Sequence, residues 1–383
     1  MNWVFLDFIR WDYDVAAPLE RPLGGSQSAM SYLAMELARR DERVTTLTGT
    51  TKPREVAGVR CLRYENIPAE VFAEPDTIAV VVNGPAEIGP DIHKVLPTRQ
   101  PLVLWTGHAP DQPAVQALKL ESCRAAWDRV ICVSEWQKSR FHEDLGVPLE
   151  QIEILRNGIA PSFENMFRGP EELAKAKLRE LRLAYTSTPY RGLAILLACF
   201  PAIRRRHPQC WLDVCSSMQI YGKSAAEDDY AQLYEQCRST AGIRYRGALA
   251  QPLLAKELAS CSVLAYPSTF AETSCIAVLE AMAAGLLVVT SDLGALAETC
   301  GGFGRLSPPE SATKSQEQFA IEYARLLDQA LNELTADRTR LSERLFEQVR
   351  HVNETCTYER RASEWLAAAR GWLESVNSSV AMN

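Results

Sequence analysis

Short runs that are apolar without interruption recur along the whole chain, separated by stretches of helical spacing, and this alternation narrows the possible folds more than any other feature. The runs are "NWVFLDFI", "RVTTLT", "DTIAVVVN", "PLVLWT" and "DRVICVS", followed by "LRLAYTS", "CWLDVC", "SVLAYPS" and "LLVVTS". A strand with one wet face alternates apolar and polar residues, whereas a strand covered by helices on both faces has no polar side to mark. The pattern predicts an α/β chain with two parallel sheets. With 383 residues the chain is long for one core and suits two domains. The segment "RNGIAPSFENMFRGP", with an Asn-Gly turn and two prolines, breaks the pattern. It divides a Rossmann-like domain over 1–165 from a second Rossmann-like domain over 166–356. Helical patterns at 315–349 and 357–375 follow the second sheet, and "SVNSSVAMN" reads as a frayed tail.

Charge and cysteine usage exclude several classes of function. A net charge of −7 with no Lys/Arg block offers no footprint for nucleic acid, because phosphate binding needs clustered cations. Eleven cysteines are scattered without a C-x-x-C pair, several inside apolar runs, which suits free thiols in a reducing cytoplasm. His207, Cys210 and Cys215 straddle a helix end and a strand start and are not read as a metal site. The start "MNWVFLDFIRWDYD" reads as a first strand rather than a leader, and no apolar stretch has the length of a membrane span.

Ligands of open parallel sheets bind beyond the carboxyl ends of the strands, so four loops hold the candidate chemistry. Gly24 and Gly25 precede a long helix, either as a plain helix start or as a backbone that meets an anion. His108 follows the strand over 101–106. In "TSTPYRGL", Ser187, Thr188 and Arg191 enter a helix, and Arg191 is either an exposed first-turn cation or a fork for phosphate oxygens. In "FAETSCIAVLEAMAAG", Glu272 stands before a helix whose first amides come from Thr273, Ser274, Cys275 and Ile276. Glu280 shares a stripe with Ile276 and Ala283 by i, i+4, i+7 spacing and faces inward. An ionised carboxylate there needs donors, supplied by the vicinal hydroxyls of a ribose or by a neighbouring arginine.

Together these residues resemble glycosyltransferase family 4, retaining nucleotide-sugar transferases of the GT-B fold. The specific part is the pair Glu272 and Glu280 within "YPSTFAETSCIAVLEAMAAGLLVVTSDLGALAE". Weaker matches follow in order at "GGSQSAMSYLAMELARR", "VICVSEWQKSRF", "ILRNGI", "YRGLAILLACFPAI" and "IRYRGAL". The resemblance implies two Rossmann-like domains with parallel sheets facing across a donor-binding cleft, the second holding the nucleotide sugar. By the same analogy the final helix, 357–383, packs on the first domain. Catalytic roles fall to Glu272, His108 and Arg191, with Glu280 on the ribose, Gly24 and Gly25 beneath the phosphates, and Tyr245 and Arg246 bordering the base. Ser187, Thr188, Thr273, Ser274, Cys275 and Ile276 complete the donor site, where the helix start is expected to favour a reachable Cys275 thiolate.

Thr188 stands where the family usually carries a second phosphate-loop cation, Cys275 where a glycine is common, and Gln27 where a glutamate often follows the glycines. The implied activity is transfer of a hexosyl group from a UDP- or GDP-sugar to an acceptor hydroxyl of a glycan, glycoconjugate or protein. No cofactor and no metal are implied, although Asp12 and Asp14 form an Asp-x-Asp. A nucleotide-sugar epimerase on the same fold and a non-catalytic nucleotide-sugar binding module are the alternatives. Trp11, Tyr13 and Trp105 are either acceptor-stacking rings or core.

Overall fold

The computed structural model of the chain describes residues 1–96, 100–177, 180–308 and 315–381. Two compact units emerge. One comprises Met1–Glu20, Gly24–Gly158 and the chain from Tyr358, and the other comprises Arg21–Leu23 and Ile159–Thr357. The second unit thus begins at Ile159, ahead of residue 166, because Ile159 bridges Thr357 and Phe163 is buried in the turn Pro161–Phe163.

The described residues of the first unit contain the strands β1 (Asn2–Leu6), β2 (Arg43–Thr48), β3 (Arg54–Val56), β4 (Val59–Arg63), β5 (Thr77–Val82), β6 (Leu102–Trp105), β7 (Arg129–Cys132) and β8 (Ile152–Ile154). Their order is β3-β4-β2-β1-β5-β6-β7-β8. Every pairing is parallel except that of β3 with β4, a short edge hairpin. That hairpin was not foreseen: β3 has three residues and no buried face, so it carries no apolar run. β1 and β5, wholly buried, show why their sequences lack alternation.

The last helix, Tyr358–Ala381, packs within this unit. Trp365 lies 4.9 Å from Trp105 and 6.1 Å from Trp3, ring to ring. Trp372 donates its indole N–H to Glu153 at 2.7 Å. Trp105 therefore belongs to the core, and Tyr13, 3% exposed, does too.

The described residues of the second unit contain β9 (Arg182–Tyr185), β10 (Trp211–Val214), β11 (Ile243–Tyr245), β12 (Val263–Tyr266), β13 (Leu287–Ser291) and β14 (Arg305–Ser307). They run parallel in the order β11-β10-β9-β12-β13-β14. Counted within the unit, this is the doubly wound order 3-2-1-4-5-6, whose connections reverse between β9 and β12. The loops after those two strands leave the sheet to opposite sides and open a crevice between them. Arg191 is on one and Glu272 on the other. No helix among the described residues is long and apolar enough to cross a membrane.

Candidate active site

Two glycines bring the second unit's site together. Gly192 has φ +111°, and a Cβ there would overlap the Pro267 carbonyl oxygen, so only glycine lets the loop after β9 touch the loop after β12. Gly294, at φ +67°, lies against the backbone of Glu272 with no room for a side chain. Glu272 and Gly294 form a parallel bridge, and the Ala295 amide donates to the Glu272 carbonyl at 2.6 Å. Glu272 is thus held at its backbone by the segment at Gly294 and Ala295.

Its side chain meets Arg191. The Nη1 of Arg191 donates to Oε1 at 2.8 Å and to Oε2 at 2.9 Å, and Tyr266 adds its hydroxyl to Oε1. Arg191 sits on the turn Pro189–Arg191, its guanidinium 4.6 Å from the centre of the Phe270 ring and 5.5 Å from that of Tyr190. Burial opposes the guanidinium charge, but the Glu272 carboxylate and the surrounding tyrosines outweigh it and raise the Arg191 pKa well above its usual value. The residues assigned separately to phosphate and to sugar are therefore each other's partners, across 81 positions of sequence.

Glu280 is buried, 3% exposed, on the inward face of the helix Ile276–Ala283. No arginine among the described residues pairs with it. Gln251 donates its Nε2 to Oε1 at 2.5 Å, and the Ala160 amide supplies a second hydrogen bond. Burial outweighs both donors and pushes the carboxyl up to about 8. Beside it, the Oε1 of Gln251 is itself buried without a partner among the described residues, as are the hydroxyls of Thr186 and Ser216 beyond β9 and β10. Unsatisfied buried polar atoms are costly, and their clustering at the carboxyl ends of strands marks a place built for a polar ligand.

Several expected groups are placed differently. Cys275 precedes the helix, but its thiol is 3% exposed, and burial together with Glu272 raises its pKa well above the ordinary range. The expected reachable thiolate is therefore corrected to an inert thiol, because desolvation outweighs the helix dipole. Thr188 is 2% exposed, and its carbonyl accepts from the Tyr185 hydroxyl at 2.7 Å. Ser187 and Thr273 lie close to the pair: the Ser187 hydroxyl donates to Tyr266 at 3.4 Å, while Thr273 is buried and Ser274 and Ile276 are partly exposed.

Tyr245 stacks on Tyr234 at 5.0 Å and donates its hydroxyl to the Ser216 carbonyl at 2.8 Å. The Arg246 amide serves Val214 at 2.8 Å, and its side chain pairs with Glu257. The Arg246 amide is engaged because it continues the pairing of β11 with β10. Tyr190, Tyr221, Gln251 and Tyr266 were not singled out from sequence. Tyr266 ends β12, Gln251 starts a helix, and Tyr190 and Tyr221 lie in short turns after strands, where no sequence pattern marks them.

In the first unit the loops after β1, β5 and β6 converge. Asn83, at φ +52°, donates to the Ser26 hydroxyl at 2.9 Å and accepts the Gly107 amide at 2.7 Å. It thereby ties the start of the helix Gly25–Ala38 to the loop of His108. Gly24 caps that helix, and a Cβ on it would stand 2.6 Å from the Gln27 side chain. Gln27 in turn holds the buried Asp7, with Nε2 2.9 Å from Oδ2, while Tyr13 donates to the same oxygen at 2.6 Å. Burial raises the Asp7 pKa against these bonds.

The Thr106 hydroxyl accepts the His108 amide at 3.1 Å and lies 3.0 Å from Nδ1. That hydroxyl can donate to Nδ1 or accept from it, so either neutral tautomer of the ring fits the contact. Burial lowers the His108 pKa, so the ring is neutral at pH 7. Asp12 accepts from Thr51 at 2.6 Å and Asp14 pairs with Arg54 at 2.6 Å, so both carboxylates of the Asp-x-Asp are engaged. Among the described residues no three His, Cys, Asp or Glu side chains are grouped to hold a metal ion.

Comparison with known proteins places this geometry. Residues 182–329, within the second unit, match the family of glycosyl transferases group 1. A phosphatidyl-myo-inositol mannosyltransferase of Mycolicibacterium smegmatis is 35% identical over 127 residues, 32% of this chain and 30% of that protein. A glycogen synthase of Mycobacterium tuberculosis is 30% identical over 175 residues, 45% of this chain and 39% of that protein. The matches span about a third of the length of these relatives. Over the whole chain, a sucrose-phosphate synthase of Thermosynechococcus elongatus superposes with a TM-score of 0.71 at 18% identity, covering 98% of this chain and 100% of that one. HepE of Anabaena, in complex with UDP-glucose, superposes with a TM-score of 0.64 at 16% identity, covering 95% and 99%. The fold is GT-B: two α/β domains built on parallel sheets.

Proposed function

We propose that the chain is a retaining glycosyltransferase that moves a hexosyl group from a UDP- or GDP-sugar to a hydroxyl of a glycan, glycoconjugate or protein acceptor. The observation that carries this reading is the meeting of Arg191 and Glu272 at the switch point of a sheet that lies within the matched region, with Glu280 on the helix that follows. Glu280 and the adjacent Gln251 oxygen form a pair of acceptors suited to the two hydroxyls of a ribose. On Arg191, Nη1 serves Glu272 and Nε serves Tyr190 at 3.3 Å, which leaves the Nη2 donors for diphosphate oxygens.

In the reaction the bond between the anomeric carbon and the diphosphate oxygen breaks, and its electron pair leaves with the diphosphate. The acceptor oxygen bonds to the same face of that carbon, and its proton passes to the leaving phosphate oxygen. Arg191 and the amides of Ser274, Cys275 and Ile276 stabilise the growing negative charge. Glu272 holds the transferred sugar. No protein nucleophile, cofactor or metal takes part, and the cysteine-rich chain works in a reducing cytoplasm.

The reading is tested by offering α-linked UDP- and GDP-sugars with a panel of acceptors and following the anomeric proton by NMR, with and without chelator. An α-linked product formed at the same rate in chelator is expected. A β-linked product, isomerised donor without acceptor, or turnover that depends on added manganese or magnesium would each refute it.

A further inference from the structure

A second cavity in the same unit, about 660 Å³, lies on the far side of the Arg191 turn, between Pro189–Arg191 and the helix Ala231–Ser239. The chemistry of its walls is specific. Tyr190 and Tyr230 supply two aromatic rings, Gln232 and Gln236 supply two amides, and Thr269 and Asp229 supply oxygens, beside aliphatic side chains. Gln232 and Gln236 are four residues apart on one helical face, both exposed, and neither amide makes a hydrogen bond among the described residues. No lysine or arginine lines the cavity, and Asp229 adds a negative charge. Phosphate, carboxylate and nucleotide ligands are disfavoured on that ground. The amides and hydroxyls equally disfavour an aliphatic chain, which would leave them unpaired.

Tyrosine faces beside planar amides match one ligand class well: a sugar ring presents C–H groups on its faces and hydroxyls, both donors and acceptors, around its edge. The volume is in the range of small-molecule pockets and exceeds the needs of a single ring. We propose that this cavity is a carbohydrate-binding site for an uncharged oligosaccharide, distinct from the donor site and coupled to it through Tyr190. Tyr190 belongs to both places. Its ring lines the cavity, while its hydroxyl accepts from Nε of Arg191 at 3.3 Å and lies 3.3 Å from the Tyr221 hydroxyl. A saccharide stacked on Tyr190 restrains the ring that positions Arg191, so saccharide and nucleotide each raise the other's affinity by the same factor. The coupling rests on the proposed donor site; the saccharide binding does not.

The test uses the full chain and three probes, linear tetrasaccharides of glucose, mannose and galactose, titrated by calorimetry alone and with UDP or GDP. At least one probe is expected to bind, and Gln232→Ala combined with Gln236→Ala should weaken it at least tenfold while leaving nucleotide affinity in the absence of sugar unchanged. In the parent the bound saccharide should tighten nucleotide binding about fivefold. Tyr190→Phe, which keeps the ring and removes the hydroxyl, should retain saccharide binding and lose this effect. The site is refuted if none of the three probes binds or if the double variant binds as the parent does. Saccharide binding without any nucleotide binding would leave this site standing and remove the donor site instead. Equal coupling in Tyr190→Phe would remove the route through Arg191.

Discussion

Replacing Arg191 with alanine is expected to lower turnover about 100- to 1,000-fold, the loss seen when one preorganised donor to a developing oxyanion is removed. With Thr188 at the other expected cation position, on the proposed reading a single guanidinium carries most of the neutralisation of the diphosphate. The same change leaves Glu272 buried without its partner. Because Arg191 is about a fifth exposed, the stability cost is discounted from that of a fully buried pair to about 2–3 kcal/mol. The two effects separate in a double variant. Glu272→Ala in the Arg191→Ala background should recover part of the stability, since the orphaned charge is gone, yet recover none of the turnover. Urea denaturation measured beside initial rates decides the matter. An Arg191→Ala enzyme within threefold of the parent rate would place the diphosphate elsewhere.

On the proposed reading Glu280 links donor binding to pH. Its carboxyl is raised by burial to about 8 in the free protein, so near neutrality it is mostly protonated. A ribose hydroxyl donating to it favours the ionised form, so binding near pH 7 should release a large fraction of one proton per nucleotide, and binding at pH 9 almost none. Calorimetry in two buffers of different ionisation enthalpy measures that release. In Glu280→Gln the release should vanish, and affinity should fall at least tenfold, since a hydrogen bond to a charged acceptor contributes about 1.5–3 kcal/mol.

The fold carries the opposite signature. A carboxyl with a folded pKa raised above its unfolded value contributes stability that is full below about pH 4.5 and declines as pH rises towards about 8. The slope is at most about 1.4 kcal/mol per pH unit. Glu280→Gln should remove that decline, so the variant gains on the parent at pH 8 while binding nucleotide worse. Unchanged affinity and unchanged proton release in the variant would contradict the ribose assignment.

The strands were legible because both faces of each sheet are covered, and the runs that mark them overshoot in an informative way. "LRLAYTS" extends past Tyr185 into Thr186 and Ser187, and "DTIAVVVN" past Val82 into Asn83, so the residues that overshoot are the ones at the candidate sites. The inward stripe of Glu280 was legible for the same reason, as helical spacing is local. Its partner was not, because Gln251 is 29 residues away on another helix. The pairing of Arg191 with Glu272 depends on the strand order reversing between β9 and β12, and a list of strands does not contain their order. Cys275 failed for a related reason: a helix start is visible in sequence, whereas its burial, like that of Tyr185 and Tyr266 with which it interacts electrostatically, appears only in three dimensions.

The most direct measurement of the central claim, a nucleotide-sugar site at Arg191, Glu272 and Glu280, is a thermal-shift screen of the parent and of Glu280→Gln against UDP- and GDP-sugars and the free nucleoside diphosphates. A ligand at 100 times its dissociation constant stabilises by about 2.7 kcal/mol, enough to raise the midpoint by a few degrees. The account predicts such a rise in the parent with at least one UDP or GDP compound, and a much smaller one in Glu280→Gln at the same concentration. No rise with any of them, or equal rises in parent and variant, would contradict it.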